Sequence, residues 1–204
     1  MELKTILEKT VDTIIVERSK FITYFFPCDS KEKANEIILN VRKEHADATH
    51  VCYGYIVFDE TLLYKSSDDG EPSQTAGAPI LNVLKKNNLT NVICLVVRYF
   101  GGIKLGAGGL TRTYSNAASN GLLKAKIVTL VDAYCLDLIF NYELTKDIDK
   151  ILEVNNLEIV SKSYNLKVTY KILSIDKQKL LDLKDKISYL DISFGEFETT
   201  KIRK

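Results

Sequence analysis

Val92-Ile93-Cys94-Leu95-Val96-Val97-Arg98-Tyr99-Phe100-Gly101-Gly102-Ile103-Lys104-Leu105-Gly106-Ala107-Gly108-Gly109 sets the architecture of the chain. Six consecutive apolar residues, Val92 to Val97, leave no wet face, the pattern of a central strand covered on two sides. After the glycines, Leu110, Tyr114, Ala117, Ala118, Gly121 and Leu122 recur at helical spacing and present a small-residue face suited to close packing on a sheet. A strand, a glycine loop and a helix start in succession bring free backbone N–H groups and the positive end of a helix dipole to one place, where an anion can be held. Arg98, Lys104 and Arg112 add positive charge there, and Gly101, Gly102, Gly106, Gly108 and Gly109 let the backbone approach a phosphate closely. The same glycines equally suit a purely architectural role in a tight turn. The interval from Gly101 to Gly106 looks like a P-loop, but Ala107 and Gly108 stand where Lys and Ser/Thr are required, and no GxGxxG is in register.

Upstream, residues 10 to 27 read as a β-hairpin broken by Glu17-Arg18-Ser19-Lys20, and Asp29 or Ser30 caps a helix carrying Ala34, Ile37, Ile38 and Val41 on one face. Strands follow near 50 to 58 and 61 to 66, then a polar turn with Asp68, Asp69, Gly70 and Pro72, then a helix with Pro79 in its first turn. Downstream of about residue 129 glycine almost vanishes, and the order strand, helix, strand, strand, helix, strand is the split βαβ or ferredoxin-like pattern. Its strands are expected near 133 to 140, 157 to 163, 166 to 173 and 191 to 199, with Leu166, Val168, Tyr170 and Ile172 on one face. The expected division is an N-terminal domain over 1–128 and a C-terminal one over 129–204, joined near Lys126 to Asp132.

Composition narrows the function classes. In 204 residues, 46% are hydrophobic and 27% charged, which is globular, and a net charge of +1 provides no global drive toward nucleic acid, so such binding needs a local basic patch. No leader-like or membrane-spanning apolar run is present, and the expected location is the cytoplasm. Cys28, Cys52, Cys94 and Cys135 form no CxxC pair, so neither a disulfide framework nor zinc is expected, and no cofactor is implied. Oligomeric state is not legible.

A second candidate surface gathers Lys20, His50, Asp68, Asp69, Glu71 and Ser73. The three carboxylates suit a metal, a general base or a hydrogen-bonded cap, and Ser73 or Thr75 is positioned to cap the next helix with Gly70 at φ > 0. His50 and Cys52 share a strand face, as a buried thiol beside a hydrogen-bonded histidine or as a nucleophile pair. His45 is expected to be solvated at a helix end, and Tyr99 and Phe100 to serve the core or to stack on bases. Arg98 is a candidate either for phosphate or for an internal pair with Asp68, Asp69 or Glu71. Gly108 is a candidate position for φ > 0.

Ser19-Lys20-Phe21-Ile22, Ala48-Thr49-His50-Val51-Cys52, the run Ser67 to Gly77 and the run Val97 to Leu110 together closely resemble the YigZ/IMPACT family in order and spacing. Gln74 stands where that family usually has glycine, and Thr111 and Thr113 replace commoner Val and Ala. The resemblance implies an α+β protein: an N-terminal domain like domain IV of elongation factor G and ribosomal-protein domains, then a ferredoxin-like βαββαβ domain. It points to RNA or a ribosome-associated protein as partner and to modulation of translation without catalysis. Eukaryotic members are linked to translational control through an initiation-factor kinase, but they carry an additional partner-binding domain without counterpart in these residues. The alternative is an enzyme acting on a small phosphorylated or carboxylate substrate at the same loop.

Overall fold

Local turn chemistry starts the first sheet. The computed structural model describes residues 3–59 and 61–203 and divides into two units, Met1–Leu130 and Val131–Ile202. In the first, β1 (Lys4–Ile6) precedes a hairpin of β2 (Thr10–Val16) and β3 (Ser19–Pro27). The two turn residues, Glu17 and Arg18, lie at φ 45° and 62°, the primed turn whose twist matches that of the strands it joins. Ser30 then caps α1 (Lys31–Glu44), its Oγ accepting the Lys33 N–H at 3.2 Å. The chain continues through β4 (His50–Asp59), β5 (Thr61–Ser67), α2 (Gly77–Lys86), β6 (Val92–Tyr99) and α3 (Gly106–Lys124).

Five of these six strands, all but β1, form one antiparallel sheet in the order β2-β3-β6-β4-β5, with β6 in the middle. Strand alternation divides its side chains between two cores. Cys94 and Val96 pack with Ile80 and Leu84 of α2 and with Leu110 and Tyr114 of α3. Ile93, Leu95 and Val97 pack with Ala34, Ile37, Ile38 and Val41 of α1. Helices on both faces are the reason that Val92 to Val97 are all buried. The small face of α3 has a matching cause: a Cβ on Gly121 would lie 2.9 Å from Thr23 Cγ2 and 3.1 Å from the Phe25 ring on β3.

The second unit is built from β7 (Ile127–Phe140) from Val131 onward, α4 (Thr145–Val154), β8 (Glu158–Tyr164), β9 (Val168–Ser174), α5 (Lys177–Lys186), β10 (Ile192–Phe194) and β11 (Glu198–Arg203). β10 and β11 pair with β7, β7 with β9 and β9 with β8. That is the fourth-first-third-second order of a ferredoxin-like sheet, and the chain is an α+β protein. Leu136, Leu138, Phe140, Val168, Tyr170 and Ile172 meet Ile148 and Leu152 of α4 and Leu180 and Leu183 of α5.

Three boundaries differ from the sequence reading. β7 begins at Ile127 rather than near 133, because Ile127 to Thr129 pair with β1. Leu166 lies in the turn before β9 and is 99% exposed. The last strand is interrupted where Gly195 donates its N–H to the Asp137 carbonyl at 2.9 Å and comes so close that a Cβ would sit 3.0 Å from Asp137 Cβ. None of the described helices is long and apolar enough to cross a membrane.

Gly121→Val places a branched side chain against Thr23 and Phe25, and overpacking of this kind costs about 1–3 kcal/mol. Thermal denaturation should show a Tm lower by several degrees, and an unchanged Tm would mean that α3 is free to move away from β3.

Candidate functional site

Arg98 is the last buried residue of β6 and shares the face of Cys94 and Val96, so alternation aims it at the α2 and α3 side. A guanidinium only 5% exposed requires a partner. Nη1 donates to Glu71 Oε1 at 2.6 Å, and the Tyr114 hydroxyl of α3 donates to the same oxygen at 2.8 Å. Nη2 reaches Ser19 Oγ at 3.5 Å, while the Phe21 and Phe100 rings flank the guanidinium at 5.4 and 5.3 Å. Arg98 Nε is buried without an acceptor among the described residues. Of its three acidic candidates, Arg98 therefore takes Glu71.

The acidic turn is shaped to deliver that carboxylate. Asp68 accepts the backbone N–H groups of Gln74, Ala76 and Gly77 at 2.8, 2.9 and 2.8 Å, so Asp68 caps α2. Neither Ser73 nor Thr75 does so: Thr75 Oγ1 donates to the Pro72 carbonyl at 2.6 Å, and Ser73 is exposed. Burial raises the Asp68 carboxyl, but the three N–H groups outweigh it and hold the group below its ordinary value. Asp69 turns the other way, pairing with Arg42 and accepting the Val51 N–H at 2.7 Å. The three carboxylates thus serve three separate partners rather than one centre. Asp69, Gly70 and Gln74 lie at φ 46°, 87° and 62°, and the left-handed Gln74 is where the family's glycine would be unstrained.

His50 and Cys52 lie on the same face of β4, as expected, with different surroundings. Cys52 is fully buried, its thiol 3.0 Å from the Asp68 carbonyl, and burial foremost pushes it up to about 12. A thiol in that state is no nucleophile at neutral pH. His50 Nδ1 lies 2.8 Å from the Asp69 carbonyl. A carbonyl only accepts, so Nδ1 carries the proton and donates. His50 Nε2 faces Glu71 Oε2 across 3.8 Å, beyond hydrogen-bonding distance.

The glycines of the loop divide by task. A Cβ on Gly101 would fall 2.1 Å from the Arg18 carbonyl carbon, so that glycine admits the β2–β3 turn, whereas Gly102 and Gly106 take φ 88° and 68°. Gly108 and Gly109 lie in the first turn of α3, and Gly108 has no positive φ, contrary to the sequence reading. Leu105 at its N-cap offers no capping side chain, and among the described residues no side chain accepts from the first N–H groups of α3. Beside it a cavity of about 410 Å³ is lined by His50, Glu71, Arg98, Phe100, Lys104 and Gly106, among others. Lys104 also borders a second depression of about 490 Å³ that reaches Arg112. Lys104 and Arg112 make no ion pair among the described residues.

Other candidates fall elsewhere. Lys20 pairs in register with Tyr99 on β6, which puts it on the α1 side of the sheet, away from the cavity. His45 is 10% exposed rather than solvated, because α1 packs over that face and the ring is held by the hydroxyls of Tyr24 at 2.7 Å and Tyr99 at 2.8 Å. Phe100 is 45% exposed at the cavity. Sequence reading missed Tyr114, Ser19 and Thr49 as polar participants. Tyr114 was visible as the one hydroxyl-bearing large side chain in an otherwise apolar and small stripe. Thr49 accepts the Phe100 N–H at 3.1 Å and Ser19 the Gly101 N–H at 3.1 Å, so both anchor the loop.

Fold and site together define a two-unit α+β protein with a glycine-rich loop and an open cavity above a buried Arg–Glu pair. Residues 17–122 match the Impact N-terminal domain. The chain is 45% identical over 118 residues to IMPACT family member YvyE of Bacillus subtilis, an alignment covering 58% of this chain and 54% of that protein, about half of its length. It is 30% identical over 191 residues to IMPACT family member YigZ of Escherichia coli, covering 92% of this chain and 91% of the other. A solved structure described as a crystal structure of an hypothetical protein is similar at a TM-score of 0.71 and 27% identity, covering 97% of this chain and 98% of that one. The chain belongs to the IMPACT family.

Two stability measurements probe the turn. Asp68→Ala removes a three-bond cap and should cost about 1–2 kcal/mol at pH 7. Because the folded carboxyl titrates below its unfolded value, that contribution is present above the ordinary aspartate value of 3.8 and is lost as pH falls through the folded pKa. The gap between wild type and variant, followed by urea titration, should therefore narrow in acid; a constant gap from pH 7 to pH 3 would remove the carboxylate from the explanation. Gln74→Gly relieves a left-handed side chain and should raise Tm by about 2–4 °C, roughly 1 kcal/mol of relief.

Proposed function

We propose that this protein is a non-catalytic RNA-binding module of the cytoplasm that associates with the ribosome and modulates translation. It meets RNA phosphate at the glycine-rich basic loop. The observation that carries this reading is the pairing state of the cations. Arg98 is neutralised internally by Glu71, whereas Lys104 and Arg112 make no ion pair among the described residues and lie near the start of α3. Two unpaired cations and a row of open N–H groups supply an anion subsite by charge and dipole alone. Exposed Phe100 beside it offers a ring for stacking an unpaired base. The translational role rests on the family's link to translational control, and the local patch fits a chain whose net charge is only +1.

A second reading, an enzyme acting on a small phosphorylated or carboxylate substrate, is favoured by one observation: the cavity joins the glycine loop to the acidic turn and presents His50 Nε2 as a base. Under that reading His50→Asn abolishes turnover while leaving RNA irrelevant.

Filter binding of single-stranded RNA by the Lys104→Ala, Arg112→Ala double variant decides between them. Loss of two phosphate contacts should weaken all sequences alike and reduce the slope of log K against log salt by about 1.4 for single strands. Unchanged affinity and slope in a folded double variant would sink the phosphate-contact model.

A further inference from the structure

The cavity holds features that a backbone phosphate would leave unused. Glu71 Oε1 is occupied by Arg98 and Tyr114, but Glu71 Oε2 has no donor among the described residues. His50 Nε2 is likewise without one, since its ring is committed through Nδ1–H to the Asp69 carbonyl. These two acceptors face each other across 3.8 Å. Both belong to residues lining the cavity, and both residues are largely removed from water, at 19% and 3% side-chain exposure. Neither atom is among the fully buried polar atoms left unpaired in the described residues, so both open onto the cavity, where a ligand's donors can replace water. Lys104 and the first residues of α3 line the same space, where their charge and dipole favour an anion. Phe100 adds an exposed aromatic wall. At about 410 Å³ the cavity is within the roughly 300–1,000 Å³ range of small-molecule sites.

We infer that the cavity binds a ribonucleoside 5′-phosphate unit with a free 2′,3′-diol, its two cis hydroxyls donating to His50 Nε2 and Glu71 Oε2 and its phosphate lying at Lys104 and the start of α3. A cis-diol offers two adjacent hydroxyl donors to two adjacent acceptors, which a single hydroxyl does not. The unit has two sources, a free nucleotide or the 3′ terminus of an RNA strand. This deepens the RNA reading above and rests on it only for the second source. Internal nucleotides of a strand lack the free diol and bind through the loop cations alone.

The test uses the full chain in fluorescence anisotropy with a 5′-labelled oligoribonucleotide whose last residue is a ribonucleotide, a 2′-deoxynucleotide or a 3′-phosphorylated ribonucleotide, and in calorimetry with AMP and 2′-deoxy-AMP. Losing one hydroxyl bonded to a charged or buried acceptor should weaken the terminal 2′-deoxy strand, or 2′-deoxy-AMP, about tenfold or more relative to its ribose counterpart. His50→Asn retains a donor toward the Asp69 carbonyl but deletes Nε2, and should abolish that discrimination; His50→Gln, which returns an acceptor near the Nε2 position, should restore part of it. Tm measurements accompany both variants, and the wild-type comparison of ribose with deoxyribose stands whether or not they fold. Equal binding of all three strands, with AMP and 2′-deoxy-AMP also alike, overturns the inference and leaves the RNA reading standing. Discrimination between the free nucleotides without binding of any strand supports the inference for the first source and ends the RNA reading. No binding of any probe overturns both.

Discussion

A buried ion pair between Arg98 and Glu71 holds together the end of the first unit that carries the cavity. Its carboxylate oxygen is the meeting point of β6 through Arg98, the acidic turn through Glu71 itself and α3 through the Tyr114 hydroxyl, with Ser19 of β3 at the guanidinium's other nitrogen. Two charges at 5% and 3% exposure are tolerable only as a pair, and removal of one partner leaves the other stranded at a cost of about 3–5 kcal/mol. The same pairing determines the electrostatics above it. With Arg98 neutralised, the floor of the cavity carries little net charge, and the cationic character comes from Lys104 and the open end of α3.

The turn that supplies Glu71 is itself over-determined. Asp68 gathers three N–H groups around the start of α2, while Asp69 ties the same turn to α1 through Arg42 and to β4 through Val51. These bonds hold Asp69 and Gln74 in left-handed backbone that side chains ordinarily avoid. A turn so constrained presents Glu71 Oε2 and orients His50 through the Asp69 carbonyl, so the acceptors at the cavity are organised without any ligand. Glycines in the loop complete the arrangement from the other side, where Gly101 lets the β2–β3 turn approach and Gly102 and Gly106 bend the chain into α3.

The second unit works by simpler means. Apolar residues at alternate positions of β7 and β9 pack against α4 and α5, and the pairings of β9 with β7 and β8 are antiparallel. Its described residues carry nothing comparable to the Arg98 cluster: the ion pairs Lys162–Asp149 and Lys171–Glu198 lie at its surface, where such pairs contribute about 0–1 kcal/mol.

Sequence by itself determined the elements and their order. Period-two alternation marked the hairpin, an unbroken apolar run marked β6, helical spacing marked the buried stripes of α1 and α3, and the element order of the C-terminal half marked the ferredoxin-like sheet. Those signals are local, because hydrophobic periodicity records which face of one segment is buried. Partner choice is not local. Arg98 meets Glu71 across 27 residues and Tyr114 meets it across 43, and three carboxylates within four residues looked interchangeable until folding sent each to a different neighbour. Lys20, one position from Ser19 and Phe21, was lost to the opposite face by strand alternation combined with the β3–β6 register. Gly108 and Gly101 read alike as glycines, yet only the approach of Arg18 makes Gly101 indispensable. Tertiary structure alone decided these matters, since they depend on distances between segments that no single segment encodes.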